Sequence, residues 1–367
     1  MKRLSLALCA TLAVPSVVVA QASTPDTTVK VTFGGFVDTY YAYDFGRPPT
    51  LDRSFAGGAT FTTQPARHDE FNINLAYIEA NLSGNRLHGR LALQAGTSVQ
   101  SNYAGEPTNG TVSGPSLSRN IQEAFAGYQL TPALWIDGGV FYSNMGLEGW
   151  ASKDNATYTR SLVGDYSPYY SSGARAIWQA SPQLAVRVDL VNGWQNISET
   201  NTDKGVGLRL DYTVNPAVGV SYYNFFNNEV GGRLRTFNGV DGKVTAGATT
   251  LLGEVDYGNL GATSRGGRSS SWWGFTAIAR EQVMPKVALI GRIERYDDKD
   301  QVNIVTGLSD PFRGNGASAG VDVSPQPRLA WRTEVRGFFA GAPIFPDGKG
   351  APRKTGGFVV TSLALAF

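Results

Sequence analysis

Segments of strand length along this chain place apolar side chains on every second position and full charges on the positions between them. Leu134, Ile136, Gly138, Val140 and Tyr142 share one face opposite Trp135, Asp137 and Phe141. Val186, Val188 and Leu190 oppose Arg187 and Asp189; Val206, Leu208, Leu210 and Tyr212 oppose Arg209 and Asp211. Val287, Leu289 and Ile293 oppose Arg292 and Glu294, and Leu329, Trp331, Thr333 and Val335 oppose Arg332, Glu334 and Arg336. A period of two marks a strand whose faces meet different surroundings. An arginine turned to lipid at the bilayer midplane costs about 2 to 4 kcal/mol, and one in a dry core costs several unless paired; a water-filled lumen holds it cheaply. A soluble sheet also turns polar residues to water. It has no need of Tyr40, Tyr41, Tyr43, Tyr128, Tyr142, Trp178, Trp194, Tyr212, Tyr257, Trp272, Trp273 and Tyr296 near strand ends, where interfacial girdles sit. The pattern predicts an all-β fold, a transmembrane antiparallel up-and-down β-barrel.

Tight reversals are expected at Ser83-Gly84-Asn85, Thr131-Pro132-Ala133, Ser181-Pro182-Gln183, Asn215-Pro216-Ala217, Met284-Pro285-Lys286 and Ser324-Pro325-Gln326-Pro327, which carry the residues that turns use. Longer stretches near 45–68, 97–119, 143–170, 195–203, 258–271, 297–314 and 340–354 read as loops on the opposite rim. Fifteen strand segments are clear. Both chain ends belong on the turn side, so the number is even. The missing strand is sought at 233–240, with a turn at Asp241-Gly242-Lys243. About sixteen strands are expected, with fourteen and eighteen as neighbouring solutions.

The ends carry export features. Lys2 and Arg3 precede an apolar stretch over 4–19, followed by Ala20-Gln21-Ala22, the order of a cleaved signal peptide. A membrane-spanning helix needs about twenty apolar residues, and Pro15 interrupts this one. Residues 1–22 are expected to leave on export, and 23–367 to form a single barrel domain in the bacterial outer membrane. At the other end Val359, Leu363, Leu365 and Phe367 alternate up to the aromatic terminus. Leu363, Leu365 and Phe367 resemble the closing-strand signal read by the barrel-assembly machinery, to which periplasmic chaperones deliver such chains.

Cys9, the one cysteine, lies in the leader, so no disulfide or thiol chemistry is expected of the exported chain. Removing Lys2 and Arg3 from the 32 basic residues brings them level with the 30 acidic ones, a balance that disfavours nucleic acid as a partner. Catalysis has little to build on. His68, beside Asp69 and Glu70, reads as part of a solvated loop, and His88 sits by a tight turn at the other end of the same hairpin. No catalytic residue is assigned. No Cys/His cluster has metal spacing and no glycine loop cradles phosphate, so neither metal nor cofactor is expected; Gly57-Gly58 and Gly266-Gly267 read as loop tips.

A barrel of this strand number leaves an aqueous channel, and rings of charge inside it set selectivity. The pore-lining candidates are the basic Arg90, Arg175, Arg187, Arg209, Arg292, Arg332 and Arg336 and the acidic Glu123, Asp137, Asp189, Asp211, Glu254, Asp256, Glu294 and Glu334. Arginine's rigid fork suits carboxylate or phosphate; the competing reading is that these charges pair across strands and hold the wall. The stretch 143–170, third in order and carrying Glu148, Asp154 and Arg160, is the candidate constriction loop. Asn192-Gly193-Trp194 reads as a strand end with Trp194 at the membrane interface.

The run from Gly139 through Val140, Phe141, Tyr142, Ser143, Asn144, Met145, Gly146 and Leu147 to Glu148, then Tyr158-Thr159-Arg160-Ser161, Gly173, Asn192-Gly193-Trp194, and Arg292-Ile293-Glu294 with Asp297, resembles the β-barrel porins of the OmpL-like type. The resemblance runs from Phe33-Gly34-Gly35-Phe36 to Phe367. It departs where Arg332-Thr333-Glu334-Val335-Arg336 meets Gly337-Phe338 without a following acid. It implies a barrel that forms a diffusion pore. The expected function is passive or weakly selective diffusion of small hydrophilic solutes or ions across the outer membrane, in contact with its lipid and with room for a homo-oligomer. The alternatives are a structural or adhesive barrel without transport, and a barrel enzyme.

Overall fold

The computed structural model describes residues 29–262 and 268–367; residues 1–22, expected to leave on export, with Cys9, and Gly266-Gly267, lie outside the described residues. Sixteen strands form one closed barrel in which each pairs antiparallel with its sequence neighbours and the last with the first. They are β1 (Lys30–Asp44), β2 (Phe71–Ser83), β3 (Leu87–Ala95), β4 (Ile121–Thr131), β5 (Leu134–Tyr142), β6 (Tyr170–Gln179), β7 (Leu184–Val191) and β8 (Gly205–Asn215). The second half contains β9 (Val218–Val230), β10 (Arg233–Ala246), β11 (Thr249–Leu260), β12 (Ser270–Met284), β13 (Val287–Asp298), β14 (Phe312–Gln326), β15 (Leu329–Ala340) and β16 (Thr355–Ala366). The seam between β1 and β16 runs from Phe36 opposite Ala366 to Asp44 opposite Phe358. Closure leaves no unpaired edge, which is what lets strands cross lipid. Among the described residues no helix is long and apolar enough to do so.

Except at the end of β5, where the successive Val140 and Phe141 are both buried, the alternation separates the two faces as expected. Along β15, Trp331, Val335 and Phe339 are about half exposed on the outside, while Arg332, Glu334 and Arg336 are buried inside. Leu363, Leu365 and Phe367 likewise face outward, and Phe367 exchanges both backbone hydrogen bonds with Gly35 at 3.0 Å.

Several boundaries differ from expectation. Asp241-Gly242-Lys243 is not a turn: β10 runs on to Ala246, with Gly242 opposite Gly253 and Asp241 opposite Glu254. The reversal falls at Gly247, whose φ of +60° is one that glycine adopts freely. Asp241 stays in the wall because Arg209 holds it from β8 at 2.9 Å. β14 extends through Gln326, moving that turn to Pro327-Arg328.

The aromatic residues also divide. Trp178, Tyr212, Tyr257 and Trp273 face outward, but Tyr40, Trp272 and Tyr296 are buried inside. Tyr142 lies inward, near the Arg90 guanidinium. Trp194 is not at the interface either; its ring meets Phe225 at 5.4 Å and Phe237 at 5.0 Å. The loops that fold into the barrel explain this. Phe55 and Phe61, from the first loop, pack with Phe312, Phe338, Phe345 and Phe358, in a cluster that also contains Tyr158, Leu162, Val163 and Trp272. This end of the lumen is packed much as a soluble protein's core is.

Candidate functional site

The third loop, residues 143–169 (L3 below), folds into the lumen. Its neck is closed by Ser143 N donating to Tyr169 O at 3.0 Å. Arg187 on β7 donates to Tyr142 O at 2.7 Å, and Arg209 on β8 to Asn144 O and Gly146 O, each at 3.2 Å. Gly146 has φ +82°, which turns the chain inward. Leu147 N then donates to Glu254 Oε2 of β11 at 2.8 Å. Trp150 Nε1 reaches Gln94 on β3 at 2.8 Å, and Ser152 Oγ reaches Asp38 on β1 at 2.8 Å.

The far wall grips the main chain of L3. Arg332 donates to Ser152 O at 2.6 Å and Asn155 O at 2.8 Å; Arg292 to Thr159 O at 2.6 Å; Arg336 to Arg160 O at 2.8 Å. The wall carboxylates take the amides: Glu334 accepts Thr159 N at 2.8 Å and Glu294 accepts Leu162 N at 2.7 Å. Ser161 caps the single helical turn Leu162–Asp165 through Gly164 N. The first loop locks over it, with Thr63 N donating to Asp165 at 3.0 Å.

All seven candidate arginines sit on the inner face, and all are paired. On β3 and β6 to β8, Arg90 pairs with Glu79 and Glu123, Arg175 with Asp137, Arg187 with Asp189, and Arg209 with Asp211 and Asp241. On β13 and β15, Arg292 pairs with Glu334, Arg336 with Glu294, and Arg332 with Asp322. The acid missing after Arg336 in its own strand is thus replaced by Glu294 on β13. Exposure separates the two sets. The side chains of Arg90, Arg175, Arg187 and Arg209 are 10 to 17% exposed, whereas those of Arg292, Arg332 and Arg336 are 0 to 6% exposed under L3. Glu254 and Asp256 are buried on β11 and share the Tyr223 hydroxyl, at 2.9 and 2.5 Å.

The loop candidates separate too. Glu148 is buried, accepting Ser161 N at 2.7 Å. Burial pushes its carboxyl above the ordinary value, and Arg292, 3.8 Å away, pulls it back in part. Arg160 lies between the Trp150 and Tyr169 rings at 4.7 and 4.3 Å and donates to Trp150 O. Asp154 remains exposed, paired with Lys153 at 2.8 Å.

Some charged wall residues fell outside the sequence-based set: Asp38, Lys243, Arg280 and Asp322. Asp322 lies between Val321 and Val323, so alternation alone marks it as inward-facing. Lys243 was lost with the misplaced turn. His68 is not solvated; it is buried and bonded to Thr50 O at 2.9 Å. His88 stacks on Trp135 at 4.1 Å and bonds to Asp137 at 2.5 Å. Among the described residues no group of three or more His, Cys, Asp or Glu could hold a metal ion.

Comparison with known proteins agrees with this geometry. The family model described as "Putative beta-barrel porin-2, OmpL-like" matches residues 30–367. The fold is similar to the anion-selective porin from Comamonas acidovorans, with TM-score 0.59 and 12% identity, over 93% of this chain and 100% of that one. It is also similar to the outer membrane channel DcaP of Acinetobacter baumannii, with TM-score 0.59 and 11% identity, over 92% and 97%. For OmpT of Vibrio cholerae the values are 0.57 and 11%, over 92% and 98%. No curated protein sequence matches. An inverted barrel, with charge inside and apolar side chains outside, and a family match from the first strand to the last lead to one conclusion: the chain belongs to the OmpL-like β-barrel porins and is a channel-forming porin of the bacterial outer membrane.

Proposed function

We propose that this porin passes small hydrophilic solutes passively, with L3 setting the width of the passage and the partly exposed arginines of β3 and β6 to β8 lining it. The observation that carries this reading is L3's anchorage to the far wall through Arg292, Arg332, Glu294 and Glu334. A loop fixed against one arc narrows the lumen without needing to move, and the uncovered arc keeps its charges near water. In the same reading, residues 1–22 direct export and are removed, and the Leu363, Leu365 and Phe367 pattern is offered to the assembly machinery. Copies associate through the outer face of β1, β15 and β16, where Thr39, Trp331, Thr333 and Thr361 hydrogen-bond among themselves or to backbone. OmpT of Vibrio cholerae, of similar fold, is described in a trimer form.

The test is single-channel recording of residues 23–367 refolded into a planar bilayer. Stable conductance steps support the reading. A folded, heat-modifiable barrel that carries no current overturns it in favour of a plugged structural or adhesive barrel.

A further inference from the structure

Between L3 and the turn-side ends of the strands lies a cavity of about 580 Å³, within the range of small-molecule sites. Five cations line it, Lys153, Lys243, Arg280, Arg328 and Arg332, against two carboxylates, Asp154 and Asp322. The surplus is three positive charges. Internal pairing leaves specific cations over. Arg280 and Arg332 share one carboxylate, Asp322, and Lys153 is matched by Asp154. Arg332 is further occupied by the Ser152 and Asn155 carbonyls. Lys243 and Arg328 are exposed and form no ion pair among the described residues. Arg280, whose side chain is 27% exposed, must divide Asp322 with its neighbour.

The rest of the lining suits the body of an organic solute. Leu252, partly exposed opposite Lys243 on the inner face, offers apolar surface beside the cationic groups. Low-dielectric walls with charge of one sign concentrate ions of the other. A carboxylate or phosphate group presents the oxygens that guanidinium and ammonium donors satisfy.

We propose that this turn-side vestibule is an oxyanion-binding site that makes the channel anion-preferring, with Lys243, Arg280 and Arg328 as its binding groups and small organic carboxylates or phosphates as its ligands. The inference rests on the channel reading above. Because the start of β1, the end of β16 and the short turns share this rim, the site faces the periplasm. A solute that has passed L3 meets it last on the way in.

The experiment is bilayer recording at low salt, where screening is weak, with a KCl gradient for ion preference. Succinate, inorganic phosphate or glucose is then added to one side at a time. The expected result is a reversal potential of anion-preferring sign, and block by succinate or phosphate from one side of the inserted channel only, with glucose without effect. The double substitution Lys243→Gln, Arg328→Gln removes two exposed, unpaired cations, so the barrel should still fold. It should weaken the block on the order of 10-fold and move the reversal potential toward cations. Block by succinate alone assigns the site to carboxylates, and block by phosphate alone to phosphates; both support it. A conducting channel that prefers cations, or whose block survives the double substitution unchanged, overturns the vestibule while leaving the channel reading intact. A wild-type barrel that passes no current overturns both.

Discussion

Two arcs of the same wall use the same residue type differently. On β13 and β15, Arg292, Arg332 and Arg336 are sealed beneath L3 and give their hydrogens to its carbonyls and to buried acids. On β3 and β6 to β8, Arg90, Arg175, Arg187 and Arg209 also pair with acids, yet keep part of their surface in water. Arg187 and Arg209 in addition hold the neck of L3. Facing the lumen is therefore not the same as lining a passage. Alternation along a strand decides the first; what folds over the strand decides the second.

The strongest way to break this contrast is to remove one charge from each arc. Arg292→Met would leave Glu334 buried without its partner, and losing one member of a buried pair costs about 3 to 5 kcal/mol. Arg187→Met also leaves an acid, Asp189, without its partner, but on the arc where the arginine keeps 15% of its surface in water, so the loss should be the smaller of the two. The temperature at which the barrel loses its compact mobility on gels reports both, and equal losses would dissolve the distinction.

Ion preference should divide the other way. Arg209→Met ought to shift the reversal potential toward cations while loosening Asp241 and the neck of L3, which it holds. Arg336→Met ought to destabilise the barrel more and shift the potential less. A larger shift from Arg336→Met would place the conducting water on the far arc.

A smaller effect concerns Glu148. A carboxyl raised above its ordinary value of 4.5 by burial contributes stability that is complete below 4.5 and is lost as pH rises through its folded value. Protease resistance of L3 should therefore fall with rising pH, and Glu148→Gln should flatten that fall. An unchanged slope in the variant would remove Glu148 from the account.

The smallest effect lies far from both arcs. Asp347 accepts Lys349 N and Ala351 N at 2.8 and 2.9 Å, and these bonds hold its carboxyl below the usual range. The support is present above its unfolded value and is lost as pH falls through the folded one. Asp347→Ala should speed amide exchange at Ala351 at neutral pH and leave barrel melting alone; slower melting or unchanged exchange would contradict this.

The barrel was legible in the sequence because its signal is local. Charges flanked by apolar neighbours, as Asp189 is by Val188 and Leu190, need only a period of two to be read. The tenth strand was half lost because Asp241-Gly242 looks like a turn; Arg209, 32 residues earlier, and the ladders to β9 and β11 keep Asp241 in the wall. The inward aromatics Tyr40, Trp194, Trp272 and Tyr296 were misassigned for a similar reason. A girdle residue and a core residue look alike until the first and third loops are known to fill that end. Length and order alone mark L3 as a loop that can enter the barrel; its anchors span up to 180 residues, from Ser152 to Arg332, and no local pattern encodes them.

The wall holds L3 mostly by groups that every amino acid carries: amides at Leu147, Thr159 and Leu162, and carbonyls at Ser152, Asn155, Thr159 and Arg160. Substituting a side chain leaves those groups in place, except where proline deletes an N–H. The path of the loop is thereby decoupled from its chemistry. Exposed positions such as Lys153 and Asp154 can be exchanged, by natural drift or by an engineer, while the scaffold around them stays put. Diversity in what such a barrel admits can thus accumulate one residue at a time, without the architecture being rebuilt.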